Sequence, residues 1–329
     1  MSKKIRLGFI GCGKHGARHA DAARELPDDF EITAVHDIDF EAMRAVAGDH
    51  SDAKEDSATS LMMRRDVDAV VIATPPEFHL FTMSAATDHG KHVLCEKPLW
   101  KSGFSRGNAE HVLADATEKG LVVTSCHPRR FDPLYFYVKE NMEAWQERWG
   151  KLVSFNFHFL YHRPSEGWRK TDSLLMDHLN HEIDLLHFLC GEQGVRLTKV
   201  RDGFDHYDVV GETASKINIV FSGLRRLKSR AYCNELELAF ERGHIRANGD
   251  LVHGIVNDVV TEHPFEFNAY DAFKVFTRTH SPMSSLRSIM RNFACSIRGE
   301  ELNYLTHEEM IRNTTACTAL VETGSYASF

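Results

Sequence analysis

The sequence predicts an α/β protein: an N-terminal Rossmann, doubly wound parallel sheet, then a C-terminal α/β domain built on a large, mostly antiparallel open sheet. Three observations carry this. Short apolar runs alternate with amphipathic stretches early in the chain, a glycine-rich turn follows the first run, and long two-residue alternation takes over after Pro128.

Taken in order, residues 5–11 read as a buried strand and 14–25 as a helix that stops before Pro27, since the residue preceding a proline is pushed out of the helical region. The pattern repeats, with strands at 31–37, 69–74, 92–96 and 121–126 and helices at 40–47, 78–89 and 104–119. Strands separated by helices of this length need crossover connections, which implies parallel pairing with right-handed crossovers. Beyond Pro128, residues 152–159, 215–221 and 232–240 alternate apolar and polar side chains with few helices between them, as a half-exposed antiparallel sheet does. The exception is 173–190, whose apolar spacing is helical, with Asp172 or Ser173 as N-cap and Gly191 just past its end. A last helix is expected at 308–326. These readings place a Rossmann domain at 1–126 and a substrate-binding and oligomerisation domain at 127–329.

Composition narrows the function classes. A chain of 329 residues exceeds what one core usually serves, and its formal charge of -8 argues against a surface built for nucleic acid or an anionic membrane. No run approaches the ~20 apolar residues of a membrane helix, and Met1-Ser2-Lys3-Lys4 leads straight into a strand rather than a secretory core, so a cytoplasmic location is expected. Seven scattered cysteines without C-x-x-C spacing fit neither a disulfide scaffold nor a zinc site.

Gly11-Cys12-Gly13-Lys14-His15-Gly16 fits G-x-G-x-x-G between a strand and a helix. There the first glycine makes the turn, the second admits a pyrophosphate to the backbone, and the third lets helix and strand pack closely. Asp37 ends the second strand, where a carboxylate accepts from ribose hydroxyls; its charge repels a 2′-phosphate, and Ile38 and Asp39 supply no arginine to offset it. NAD is therefore favoured over NADP. Thr74-Pro75-Pro76 with His79, and Cys95-Glu96-Lys97-Pro98, fall at the C-terminal ends of parallel strands, where such sheets bind ligands.

The glycine turn, Thr74-Pro75-Pro76, Glu96-Lys97-Pro98, Arg129-Arg130-Phe131 and Asp177-x-x-x-His181 together resemble the Gfo/Idh/MocA family, that of glucose–fructose oxidoreductase and inositol dehydrogenase. The resemblance covers nearly the whole chain. It implies hydride transfer between a nicotinamide and a CH-OH group of a sugar, cyclitol or sugar derivative, a homodimer or homotetramer formed through the open sheet, and a cis Lys97-Pro98 bond. By the same likeness Lys97 reaches the reacting oxygen and His181 serves as acid/base. The cofactor set is Gly11, Gly13, Lys14, His15, Gly16, Asp37, Thr74, Pro75, His79, Glu96 and Lys97, and the catalytic set is Lys97, Asp177 and His181.

The residues themselves are compatible with those roles. On a helix Asp177 and His181 share a face, so the carboxylate can orient the imidazole. Spacing alone describes equally well a surface helix, with Leu175, Leu179, Ile183, Leu186 and Cys190 inward and Asp177, His181 and Asp184 in water. A metal held by Asp177, His178, His181 and His187 lacks the H-E-x-x-H pattern, and no metal site is expected. His178, Arg130, and Tyr161-His162-Arg163 with Trp168 and Arg169 are open between substrate contact and cleft rim. Two other functions share this fold: a non-catalytic sensor of NAD or sugar, and a redox-neutral glycoside cleavage through tightly held NAD.

Overall fold

The computed structural model describes residues 3–48, 54–101, 103–162, 173–191, 194–227, 233–248, 251–258, 261–268 and 285–328. The chain forms two compact units, Met1–Pro128 with Met283–Thr315, and Arg129–Pro282 with Ala316–Phe329.

The first unit follows the expected alternation: β1 (Ile5–Ile10), α1 (Lys14–Arg24), β2 (Phe30–His36), α2 (Phe40–Ala47), α3 (Ala58–Met63), β3 (Ala69–Ile72), α4 (His79–Asp88), β4 (His92–Cys95), α5 (Arg106–Glu118) and β5 (Val123–Ser125). The strands pair in parallel in the order β2-β1-β3-β4-β5. Val70, Val71, Ile72, Val93 and Leu94 are fully buried, as strands covered on both faces require. The order reverses between β1 and β3, and that switch point is where open parallel sheets leave a crevice.

The second unit contains α6 (Pro133–Trp149), β6 (Leu152–His162), α7 (Leu174–Cys190), β7 (Val195–Gly203), β8 (His206–Thr213), β9 (Asn218–Leu227), β10 (Cys233–Phe240), β11 (Gly243–Asn248), β12 (Leu251–Asp258) and β13 (Thr261–Asn268). With β14 (Ser325–Ala327) they form one sheet, ordered β13-β12-β11-β10-β6-β9-β8-β7-β14. Every pairing is antiparallel except β6 with β9. Helices α6 and α7 pack on one face over Phe155, Phe157, Phe221, Leu236 and Leu238, while His158, Val210 and Val220 stand exposed at alternate positions.

Three expectations change. First, 127–329 is not one body: α8 (Ser285–Arg298) and the first half of α9 (His307–Thr323) return to the first unit. There α8 packs on α1, Arg298 pairs with Asp29 at 2.6 Å, and the Tyr304 hydroxyl donates to Ser125 O. Second, the expectation of few helices after Pro128 gives way to α6, at a stretch where no element was expected; Asp132 capping Leu134 N and Pro133 in the first turn are its helix signals, against the aromatic Tyr135-Phe136-Tyr137 run. Third, the final helix stops at Thr323, and Gly324, with φ of 76°, turns the chain into β14. Ser173 caps α7 as expected, accepting from Met176 N at 3.3 Å; Asp172 lies outside the described residues.

Candidate active site

In the first unit the glycine turn leaves β1 against the turn that leaves β3. Gly11 has φ of 91°, and a Cβ there would lie 2.6 Å from the Ala73 carbonyl. A Cβ on Gly16 would lie 2.1 Å from Gly11 O, whereas one on Gly13 would meet nothing within 4 Å. Two glycines thus serve close packing and the middle one leaves open space over the N-terminus of α1, the arrangement a pyrophosphate needs. The buried Thr74 hydroxyl beside it has no hydrogen-bond partner among the described residues. Asp37 braces the turn: Oδ2 accepts from Cys12 N at 2.5 Å and Oδ1 from Asp39 N at 2.8 Å. Each oxygen keeps a lone pair for a ribose hydroxyl. These features fit a dinucleotide.

Glu96 and Lys97, both 7% exposed, lie just past β4, and the Lys97-Pro98 peptide is cis. Glu96 Oε1 is 2.8 Å from His19 Nε2 and 3.4 Å from His15 Nδ1, two histidines one turn apart on α1. Despite burial, these partners hold the Glu96 carboxyl well below the usual range, so it is ionised. Burial pushes the adjacent Cys126 thiol well up. His19, Glu96 and Cys126 bring three potential metal-ligand atoms within 4.8 Å of one another. The 2.8 Å from His19 to Glu96 is a hydrogen-bond distance, shorter than the ~3.3 Å edge between two ligands at ~2.0 Å from a tetrahedral zinc. We read the cluster as proton-linked.

His79, grouped by sequence with the cofactor contacts, is placed differently. It is 1% exposed, with Nδ1 2.7 Å from Pro98 O and Nε2 2.8 Å from Thr74 O. Burial pushes its pKa down while the two carbonyls pull it up. Lys14 is exposed beside Gly13, and Pro75 is half-buried next to Thr74.

In the second unit α7 is not the surface helix that spacing allowed. From Leu174 to Leu189 every residue is buried except His178, His181 and Phe188. The acidic residues of the polar stripe have strand and loop partners instead of water. The Asp177 carboxylate lies 3.4 Å from the guanidinium of Arg225, a fully buried residue of β9 that also donates to Phe204 O. Asp184 accepts from Arg130 Nη2 at 2.7 Å and Nε at 3.1 Å, which makes Arg130 an anchor for α7.

The carboxylate–imidazole pair separated by one turn is His178 with Glu182, Nδ1 to Oε1 2.7 Å. Arg129 Nη1 lies 3.3 Å from the same Glu182 oxygen, its guanidinium over the Phe157 ring. Burial pushes the His178 pKa down, so the ring is neutral, and it sits edge-on to His181 with centroids 5.5 Å apart. Tyr161 and His162 close β6, while Arg163, Trp168 and Arg169 lie outside the described residues. Sequence reasoning missed His19, Glu182 and Arg225, and gave Arg129 no role beyond its motif. His19 and Glu182 each lie four residues from a histidine already singled out, a signal that was available; Arg225 is 48 residues from Asp177 and gave none.

The chain is similar in part to known proteins. Residues 5–127 match the Gfo/Idh/MocA oxidoreductase family model, described as an NAD-binding Rossmann fold. Inositol 2-dehydrogenase 4 of Saccharopolyspora erythraea is 32% identical over 195 residues, 58% of this chain and 56% of that protein. The 4-carboxy-2-hydroxymuconate-6-semialdehyde dehydrogenase of Sphingobium sp. is 31% identical over 57% of this chain and 60% of its own length. The chain thus spans little more than half the length of these curated relatives. The fold extends further: the WlbA dehydrogenase of Bordetella pertussis, solved with NADH and UDP-GlcNAcA, superposes with a TM-score of 0.81 at 18% identity, covering 100% of this chain and 99% of that one. Among the described residues no helix is long and apolar enough to cross a membrane.

Proposed function

We propose that the chain, whose residues 5–127 match the Gfo/Idh/MocA oxidoreductase family model, is an NAD-dependent dehydrogenase moving a hydride between nicotinamide and a secondary alcohol or ketone of a sugar, cyclitol or sugar derivative. The observation that carries the reading is the placement of Lys97: a buried ammonium group's residue at the ligand end of β4, next to a carboxylate tied to the phosphate-turn helix. Relatives named for inositol support a polyol substrate.

The main chain of Gly11, Gly13 and Gly16 takes the pyrophosphate, with Lys14 and His15 flanking it, and Asp37 takes the adenosine ribose. A 2′-phosphate would meet the carboxylates of Asp37 and Asp39, which sets NAD above NADP. When bound, NAD supplies the hydride acceptor. Lys97 and His181 hold and pass on the hydroxyl proton, Lys97 as a donor to the reacting oxygen and His181 as acid/base. Asp177, neutralised by Arg225, keeps the first turn of α7 in place beneath His181. The open face of the large sheet, where Val210 and Val220 are exposed, is the surface assigned to self-association.

The test follows NADH absorbance with NAD and a panel of inositols, free sugars and nucleotide sugars. Lys97→Ala should lower turnover roughly 100-fold or more with NAD affinity held within about threefold. Wild-type turnover by that variant, or no signal in either direction across the panel, would refute the reading.

A further inference from the structure

The residues around Lys97 are tied down from three separate elements. Glu96 is held through its side chain by His19 of α1, and Leu99 N donates to Thr314 Oγ1 of α9 at 3.1 Å. The third tie is His79, whose ring joins Pro98 O to Thr74 O. Those carbonyls belong to the loops leaving β4 and β3, neighbouring strands paired from Ala69 with His92 to Ile72 with Cys95. Main-chain carbonyls beyond a strand end have lost their ladder partners, and nothing in parallel pairing fixes how two such loops sit beside one another. One buried ring in contact with both, donating to one carbonyl when neutral and to both when protonated, does fix it.

We propose that His79 is a positioning residue for the dehydrogenase reaction: it locks the Thr74-Pro75 turn to the Lys97-Pro98 turn and so sets where the Lys97 amine stands. The inference rests on the reading of Lys97 given above. It removes His79 from the cofactor contacts and makes it the brace between two of them. The ring at 1% exposure touches no bound molecule and acts only through the loops it joins.

The test compares His79→Leu and His79→Gln with wild type, using two readouts that need no substrate. Amide hydrogen exchange of peptides covering 73–77 and 95–99 should rise about tenfold or more in His79→Leu, while β1 exchanges as in wild type. Acetic anhydride should label Lys97 several-fold faster relative to the other lysines. His79→Gln keeps similar bulk and one amide donor, so it should loosen one loop and leave the other near wild type; it also carries the test if the leucine variant does not fold. With NAD and myo-inositol, kcat should fall about tenfold or more in His79→Leu with KM for NAD within about twofold, partly recovered in His79→Gln. Unchanged exchange in both loops and unchanged Lys97 labelling in a folded variant would overturn the proposal. A Lys97→Ala protein that kept full turnover would instead overturn the reading of Lys97, leaving the exchange data to decide whether His79 braces the loops.

Discussion

The ligand end of the first unit and helix α7 of the second both bury charged or titratable groups, and they hold them by opposite means. Around Lys97 the partners are imidazoles, a hydroxyl and main-chain carbonyls: His19 and His15 on Glu96, His79 on two carbonyl oxygens, Thr314 on Leu99 N. Around α7 they are opposite full charges, Arg225 on Asp177, Arg130 on Asp184 and Arg129 on Glu182. Hydrogen bonds to imidazole, hydroxyl and main-chain groups satisfy a buried group without a permanent full counter-charge, whereas a buried ion pair penalises the loss of either member heavily. The first arrangement ties a loop down without a permanent counter-charge; the second fixes a helix in one seat.

Three substitutions would break or sharpen this contrast. The largest effect is expected at Arg225. Arg225→Met removes a buried counter-charge from the Asp177 carboxylate, and we expect a loss of about 3 kcal/mol of stability, read as a lower urea midpoint at unchanged slope. A loss under about 1 kcal/mol would mean that the 3.4 Å pair is solvated and that the contrast fails.

At Glu96 the expected loss is smaller, about 2 kcal/mol for Glu96→Gln at neutral pH, the scale of a charge-assisted hydrogen bond. Its pH dependence has a definite sign. The folded-state pKa is depressed, so the carboxylate's contribution is complete above its unfolded value of about 4.3 and drains away as pH falls through the lower folded value. The stability gap between wild type and Glu96→Gln should be flat above about pH 5 and close on acidification; a gap that widened toward acid pH would show that Glu96 is protonated in the fold. The smallest effect is at Gly13. Since a Cβ there meets nothing within 4 Å, Gly13→Ala should leave the melting temperature unchanged, and weaken NAD binding about tenfold, or about 1.4 kcal/mol.

The same contrast explains what was legible in the sequence. The first unit's sheet and turn were readable because each step is local: a strand, then glycines whose need for tight turning and close approach is met within a few residues. Asp37 and Glu96 were placed at strand ends for the same reason. The seat of α7 was not readable, because each acidic residue is completed by a partner from elsewhere in the chain: Asp184 from 54 residues earlier and Asp177 from 48 later. Helical spacing therefore left those carboxylates looking like a solvated stripe. His79 shows the complementary case. Its position beside Thr74-Pro75-Pro76 suggested contact with a bound nucleotide, but its two partners are carbonyls, which leave no mark in side-chain sequence. Helix α6 was hidden by aromatic and β-branched residues chosen for packing against Phe157 and Phe240, where local propensity gives way to tertiary contact.

The return of Met283–Thr315 to the first unit bears on the order in which the protein can be made. A nascent chain ending at Pro128 has all five strands of the parallel sheet, yet lacks α8 to cover α1 and lacks the Tyr304 hydroxyl that receives His127 N. The first unit to begin emerging from the ribosome is therefore completed only once Thr315 has been made. Through the synthesis of more than 150 intervening residues it waits with an uncovered helix face, in the span where a chaperone or a protease would find it.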